Sequence, residues 1–199
     1  MVAQNGSIED DSCFVTRCRQ GEVEAFAPLV RRHQKKMLNL AYRMIGDYEE
    51  ACDVVQEAFL AAFRSIKTFR EEARFSTWLG SIVLNESRNH LKKKAGRLRL
   101  EEKSLDDPET IKMNDLNGFS SPEPSALERL EKSDRERLVQ TALQTLDQEQ
   151  REVLVLRDLQ GHSYETIGLM LKVPLGTVRS RLFRARNSLK DKLVTLRGV

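Results

Sequence analysis

From Thr177 to Arg186 the chain reads Thr-Val-Arg-Ser-Arg-Leu-Phe-Arg-Ala-Arg. Val178, Leu182, Ala185 and Leu189 fall at helical spacing on one face, which leaves Arg179, Ser180, Arg181, Phe183, Arg184 and Arg186 outside it. Guanidinium groups crowded onto so short a helix repel one another unless a polyanion neutralises them. Their planar fork suits both phosphate and the edge of a guanine. An outward Phe183 serves little purpose on bare surface, but it can pack against a thymine methyl or a sugar. The chemistry these residues could do is recognition of duplex nucleic acid.

A second basic block runs from Asn85 to Arg99, with Arg88, Lys92, Lys93, Lys94, Arg97 and Arg99 against Glu86. The whole chain is nearly balanced, 33 Lys and Arg against 30 Asp and Glu, so the bias is local. Between the two blocks lie Glu101, Glu102, Asp106, Asp107, Glu109, Asp115 and Glu123. Two basic patches separated by an acidic spacer predict two contacts with a polyanion. Composition by itself serves solvated helix faces equally well. A third constellation is polar: Asp53, Gln56 and Glu57 stand three and four apart and share one helix face. On spacing alone that strip is ordinary helix surface.

The elements that hold these residues are helical. Strong helix formers dominate the 199 residues, 40% of which are hydrophobic and 32% charged, with only 10 Gly and 5 Pro. Ala25, Phe26, Leu29, Val30, His33, Met37, Leu40, Ala41 and Met44 predict one long helix, broken at Gly46 and Asp47. Ala51, Val54, Val55, Ala58, Phe59, Ala62, Phe63 and Ile66 predict a second, and a loop over 67–74 follows. Ser76 or Thr77 would cap a third helix, which carries Trp78, Leu79, Ile82, Val83 and Leu91 into the basic block. The segment 101–124, with Asp107-Pro108, Asn117-Gly118 and Ser-Ser-Pro-Glu-Pro at its end, reads as a flexible acidic linker. Beyond it, one amphipathic helix over 126–146 precedes three shorter elements capped by Asp147, Ser163 and Thr177. The last two flank Pro174 and Gly176, and two short helices about a tight turn make a helix-turn-helix. The expected architecture is all-α: domains at 8–97 and 126–197, joined by a linker at 98–125.

Catalysis is not expected. His33, His90 and His162 are scattered without a nucleophile and carboxylate partner, and no phosphate-cradling glycine loop or metal-binding carboxylate pair occurs. Cys13, Cys18 and Cys52 are too few and too irregular for a disulfide framework or a metal site, and read as small apolar residues on helix faces. No cofactor is expected. No apolar run approaches the roughly 18 residues that cross a bilayer, and the N-terminus resembles no secretion signal. A cytoplasmic protein without membrane insertion is the expectation.

Leu159-Gln160-Gly161-His162-Ser163-Tyr164-Glu165-Thr166-Ile167-Gly168, followed by Val173 to Arg186, resembles region 4 of the extracytoplasmic-function sigma factors. Asp53-Val54-Val55-Gln56-Glu57-Ala58-Phe59 resembles their region 2.2. Phe69-Arg70, Phe75-Ser76-Thr77-Trp78-Leu79 and Val83-Leu84-Asn85 resemble regions 2.3 and 2.4, and the sigma-E-like branch fits best. The resemblance covers nearly the whole chain apart from the first residues and the linker. It implies an alternative sigma factor that binds core RNA polymerase, selects promoters by their −35 and −10 elements, and promotes melting. It implies that Asp53, Gln56 and Glu57 dock on the clamp helices of the β′ subunit, with region 4 meeting the β flap. It assigns Phe69, Arg70, Phe75, Ser76, Thr77, Asn85, Arg88 and Lys92 to the −10 element, Asn85 at the pocket for an unstacked base. Arg179, Ser180, Phe183 and Arg184 are assigned to the −35 element, with Thr177 and Arg181 on phosphate or sugar. Trp78, at a helix start beside Leu79 and Ile82, reads as core. The family also implies an anti-sigma factor that covers the chain until a signal releases it.

Two other binding classes compete. A dimeric helix-turn-helix repressor would account for the C-terminal half and leave the Asp53–Glu57 strip idle. A sigma mimic that only sequesters an anti-sigma factor would carry a receiver domain and would tend to lose the arginines retained here.

Overall fold

The computed structural model describes residues 11–101 and 126–197, with side chains at 11–100 and 135–196, and every regular element among them is helical. The start of the expected first domain at residue 8, and the linker from 102 to 125, lie outside the described residues. The first half comprises α1 (Asp11–Arg19), α2 (Phe26–Ile45), α3 (Tyr48–Ser65) and α4 (Phe75–Glu101). Helices α2, α3 and α4 pack against one another, and α1 lies along α2. The periodic residues read from the sequence are the ones buried: Phe26, Leu29, Met37, Leu40 and Met44 on α2, and Ala51, Val54, Ala58 and Phe59 on α3. Phe26 meets Phe59 and Phe63 edge-on, with ring centroids 6.4 and 5.2 Å away.

Gly46 ends α2 at φ +92°, a left-handed conformation that glycine adopts without strain. Asp47 then caps α3, its carboxylate accepting from the Glu50 amide at 2.9 Å. The next start differs from expectation. The amides of Thr77 and Trp78 donate to the Arg74 carbonyl, so α4 begins at Phe75 and neither Ser76 nor Thr77 is its cap. Phe75 is pulled into the core against Phe69 and Trp78, and the helix has to start where that aromatic is anchored. At its far end α4 continues past the composition change near residue 97 to Glu101. Residues 92–100 of it are exposed throughout, so good helix formers carry it there rather than packing.

The second half comprises α5 (Ala126–Gln144), α6 (Gln148–Leu154), α7 (Tyr164–Leu171) and α8 (Leu175–Arg197). A widened turn over 155–159 ends with the Gln160 amide on the Val155 carbonyl, five residues back. Ser163 caps α7 as expected, accepting from Thr166 at 3.1 Å. Asp147 precedes α6 but caps it with its carbonyl alone. Thr177 is not the cap of α8: its amide and that of Val178 donate to the Pro174 carbonyl, which places Thr177 inside the first turn. Lys172, at φ +56°, makes the sharp turn between α7 and α8.

The two halves do not stand apart; they share a continuous core. Met170 of α7 presses on Gly80 of α4, where an added Cβ would meet its methyl at 2.8 Å. Around this contact, side chains of the second half cap the end of α2. Gln140 donates to the Tyr42 carbonyl at 3.0 Å, Gln144 to Arg43 at 3.2 Å, and Arg151 to Met44. The Tyr42 carbonyl also accepts from the Gly46 amide at 2.8 Å, whereas those of Arg43 and Met44 are ones that a helix end leaves open, and a cation there also suits the helix dipole.

Candidate nucleic-acid interface

On α8 the expected split between faces holds. Val178, Leu182 and Ala185 are buried, while Arg179, Ser180, Phe183 and Arg184 are exposed, Phe183 by 69%. The arginines themselves divide. Arg181 pairs with Glu149 of α6 at 2.8 Å, and Arg186 forms two bonds to Asp158 at 2.6 and 3.0 Å. Arg179 and Arg184 face solvent. Thr177 is half-buried. The surface presented for an anion is narrower than the outer face read from the sequence: two arginines, a serine hydroxyl and an aromatic.

Asn85, Arg88 and Lys92 stand three and four residues apart along α4, so they lie on one stripe. Asn85 and Lys92 are exposed. The loop before α4 behaves differently from expectation. Phe69 and Phe75 are 6% and 3% exposed, packed with Trp78, whose ring stacks on Phe69 at 4.8 Å. In this conformation the two phenylalanines are the floor of the loop, and neither offers a ring face to a base. Thr77 is also buried, Ser76 half-buried, and Arg70 exposed. The sequence reading missed the brace on this loop: Arg19 of α1 bonds Glu71 at 2.6 Å and lies over the Phe69 ring. Glu71 sits at φ +57°, a rare conformation for a residue other than glycine.

Arg88 is not available to solvent anions as read. Its Nε and Nη2 each donate to Glu152 of α6 at 2.6 Å, and its Nη1 donates to Asn85 at 3.1 Å. Glu152 is 2% exposed and also accepts from Gln148 at 3.0 Å. The paired carboxylate holds Arg88 still more firmly protonated than usual. One residue along, Arg151 is buried and donates to Gln144 and to the carbonyls of Met44, Gln144 and Leu146. Burial pushes its pKa down. Nothing in the sequence distinguished Gln140, Gln144, Arg151 and Glu152 from surface residues.

Asp53, Gln56 and Glu57 are exposed together on α3, and Leu60, 47% exposed, extends their stripe by one turn. An apolar residue seven positions after Asp53 was the signal for including it. Among the described residues no three His, Cys, Asp or Glu side chains are grouped to hold a metal ion. Cys13 is exposed, Cys52 half-buried, and Cys18 buried, which raises its thiol pKa. His33 pairs with Asp11 at 2.8 Å on the face of α2. No described helix is long and apolar enough to cross a membrane.

Comparison with known proteins agrees with this arrangement. Residues 29–97 match the family of sigma-70 region 2, and 136–189 that of sigma-70 region 4. The RNA polymerase sigma-H factor of Pseudomonas aeruginosa is 37% identical over 189 residues, 94% of this chain and 96% of that protein. The ECF RNA polymerase sigma-E factor of Escherichia coli K12 is 34% identical over 189 residues, 94% and 95% of the two chains. Among solved structures, the sigma factor RpoE of Bartonella quintana, in complex with the anti-sigma factor NepR, shares the fold. Its TM-score is 0.67 at 22% identity, over 86% of this chain and 98% of that one. CnrH in complex with the cytosolic domain of CnrY gives 0.65 at 25% identity, over 93% and 97%. With both of its helical halves matched in order and relatives aligned along nearly its full length, the chain belongs to the extracytoplasmic-function branch of the sigma-70 family: it is an alternative sigma factor that directs RNA polymerase to promoters.

Proposed function

We propose that the outer face of α8 reads the −35 element and the Asn85–Arg88–Lys92 stripe of α4 engages the −10 element, where the chain helps to melt the duplex. The observation that carries this reading is the solvent-facing set Arg179, Ser180, Phe183 and Arg184 on the second helix of a helix-turn-helix. Bidentate arginine suits guanine edges or phosphate, and Phe183 suits a thymine methyl. At the −10 element, an unstacked base costs a few kcal/mol to extrude, which polar readout in a pocket offsets. Asn85, exposed on α4, has an amide that both donates to and accepts from a base edge. Arg70, Ser76 and Thr77 line the approach, while Phe69 and Phe75 shape it from beneath. Thr177 and Arg181 serve phosphate or sugar, Arg181 after leaving Glu149.

Asp53, Gln56 and Glu57 form the strip that docks on the clamp helices of polymerase β′, with Leu60 as its apolar end; region 4 meets the β flap. The sigma factor RpoE of Bartonella quintana was solved with the anti-sigma factor NepR, and a counterpart for this chain fits the family. The protein works in the cytoplasm, where polymerase is, and binds rather than catalyses. Run-off transcription from fragmented bacterial DNA tests the whole: discrete start sites should appear only when the chain is added to core polymerase. Polymerase binding without new starts would favour a decoy for an anti-sigma factor. Tight operator binding with no affinity for polymerase would favour a repressor.

A further inference from the structure

The closed packing of the two halves conflicts with the task of reading two promoter elements at once. Their names place the −35 and −10 elements roughly 25 base pairs apart, about 85 Å at ~3.4 Å per pair. A compact chain of this length has a radius of gyration of about 16 Å and a diameter near 40 Å. The described conformation therefore cannot span both. The covalent connection allows separation, since the stretch from 102 to 125 could reach roughly 80 Å if fully extended.

What holds the halves together is polar and specific. Glu152 presents both carboxylate oxygens to Arg88 at 2.6 Å each, the two-pronged geometry in which arginine also takes phosphate. The carboxylate is almost fully shielded from water and further fixed by Gln148. Beside it, Gln140, Gln144 and Arg151 cap α2 from across the interface. The masking is selective: within the −10 surface it takes Arg88 and leaves Arg70, Asn85 and Lys92 exposed, and Asp53, Gln56 and Glu57 on α3 remain exposed, as do Arg179, Ser180, Phe183 and Arg184 on α8.

We propose that Glu152 is an internal phosphate mimic: it latches the two halves closed and occupies Arg88, one of the cations of the −10 surface, while the polymerase strip and the −35 face stay open. The free chain can then engage polymerase or duplex DNA with its exposed surfaces. The −10 strand gains Arg88 only after the latch parts, so single-stranded −10 DNA is a poor ligand of the chain alone. This rests on the reading of Arg88 as a −10 contact.

The test uses the full chain with Glu152→Gln, which keeps the side chain's shape and removes its charge. Small-angle scattering should show the radius of gyration increase. Fluorescence anisotropy with a single-stranded −10 oligonucleotide should show about tenfold tighter binding, because apparent affinity scales with the competent fraction. Affinity for a −35 duplex should stay within about twofold, since that face is already open in the closed form. A variant that stays compact and binds the oligonucleotide no better overturns the latch. A variant that opens without binding better supports the latch but overturns the masking, and removes Arg88 from the −10 surface. Gly80→Leu provides an independent route, because it wedges Met170 away without touching either charged partner; it should open the chain and tighten strand binding in the same way. The double variant Arg88→Glu with Glu152→Arg should restore compactness but not strand binding.

Discussion

The basic stripe of α4 and the basic face of α8 look alike in sequence and differ in what their arginines are doing. On α8 the pairs are local and wet: Arg186 with Asp158 is half-exposed, and Arg181 meets a Glu149 that is mostly in solvent. Such pairs contribute about 0–1 kcal/mol and yield readily to a phosphate. On α4, Arg88 is held by a carboxylate from the other half that water scarcely reaches. Removing one partner of a buried pair costs about 3–5 kcal/mol, since it strands a charge. Counting basic residues locates a nucleic-acid surface; the burial of each arginine's present partner decides when that surface is available.

The sharpest way to break this contrast is Arg151→Ala. It removes the caps on Met44 and Gln144 from a buried site, and a loss of about 3 kcal/mol would lower Tm by roughly 10 °C. Thermal unfolding followed by circular dichroism checks it; an unchanged Tm would mean the halves do not rely on this seam. Next, Arg184→Ala should cost about 1–3 kcal/mol in −35 recognition and relax preference at one base. Arg181→Ala should cost less, about 1 kcal/mol or below, because its guanidinium must leave Glu149 before it contacts DNA. Equal losses in a promoter-binding titration would erase the distinction drawn between the two arginines. Asn85→Ala should leave affinity for core polymerase unchanged and reduce permanganate reactivity of unpaired thymines in the −10 region; normal melting would remove Asn85 from the reading surface.

The smallest effect is a pH dependence. Burial, with nearby Lys36 on α2, holds the pKa of His162 below its ordinary 6.5. The folded chain thus resists a proton that the unfolded chain accepts. Its contribution to stability is complete above about pH 6.5 and declines as the pH falls below that value. Tm should drop between about pH 7.5 and 5.5, and His162→Gln should flatten that slope.

Helices α2, α3 and α8 were legible because their buried positions recur at helical spacing, and the outward Phe183 followed from the same periodicity. Two starts were misplaced because the carbonyls of Arg74, just before the buried anchor Phe75, and of Pro174 accept the first amides, the task that hydroxyl residues were expected to do. The short helix α1, with its Arg19 brace on Glu71, carried too few residues for a period to emerge. The interface was hidden for another reason. Gln140, Gln144, Arg151 and Glu152 belong to residue types found mostly on surfaces, and their burial depends on partners about a hundred positions away at Tyr42, Arg43 and Met44 or on Arg88. No local pattern encodes such a pairing.

The borrowed caps at the end of α2 also bear on how the chain is made. Synthesis delivers Arg43 and Met44 before Gln144 and Arg151, which satisfy their carbonyls, so in the newly made N-terminal half the end of α2 is left open to water. Docking of the later half completes that helix end. Exchange of the Gly46 amide, which donates to the Tyr42 carbonyl with the Gln144 side chain lying against that glycine, should slow when the two halves first meet, and so serve as a clock for that moment and a gauge of every later parting.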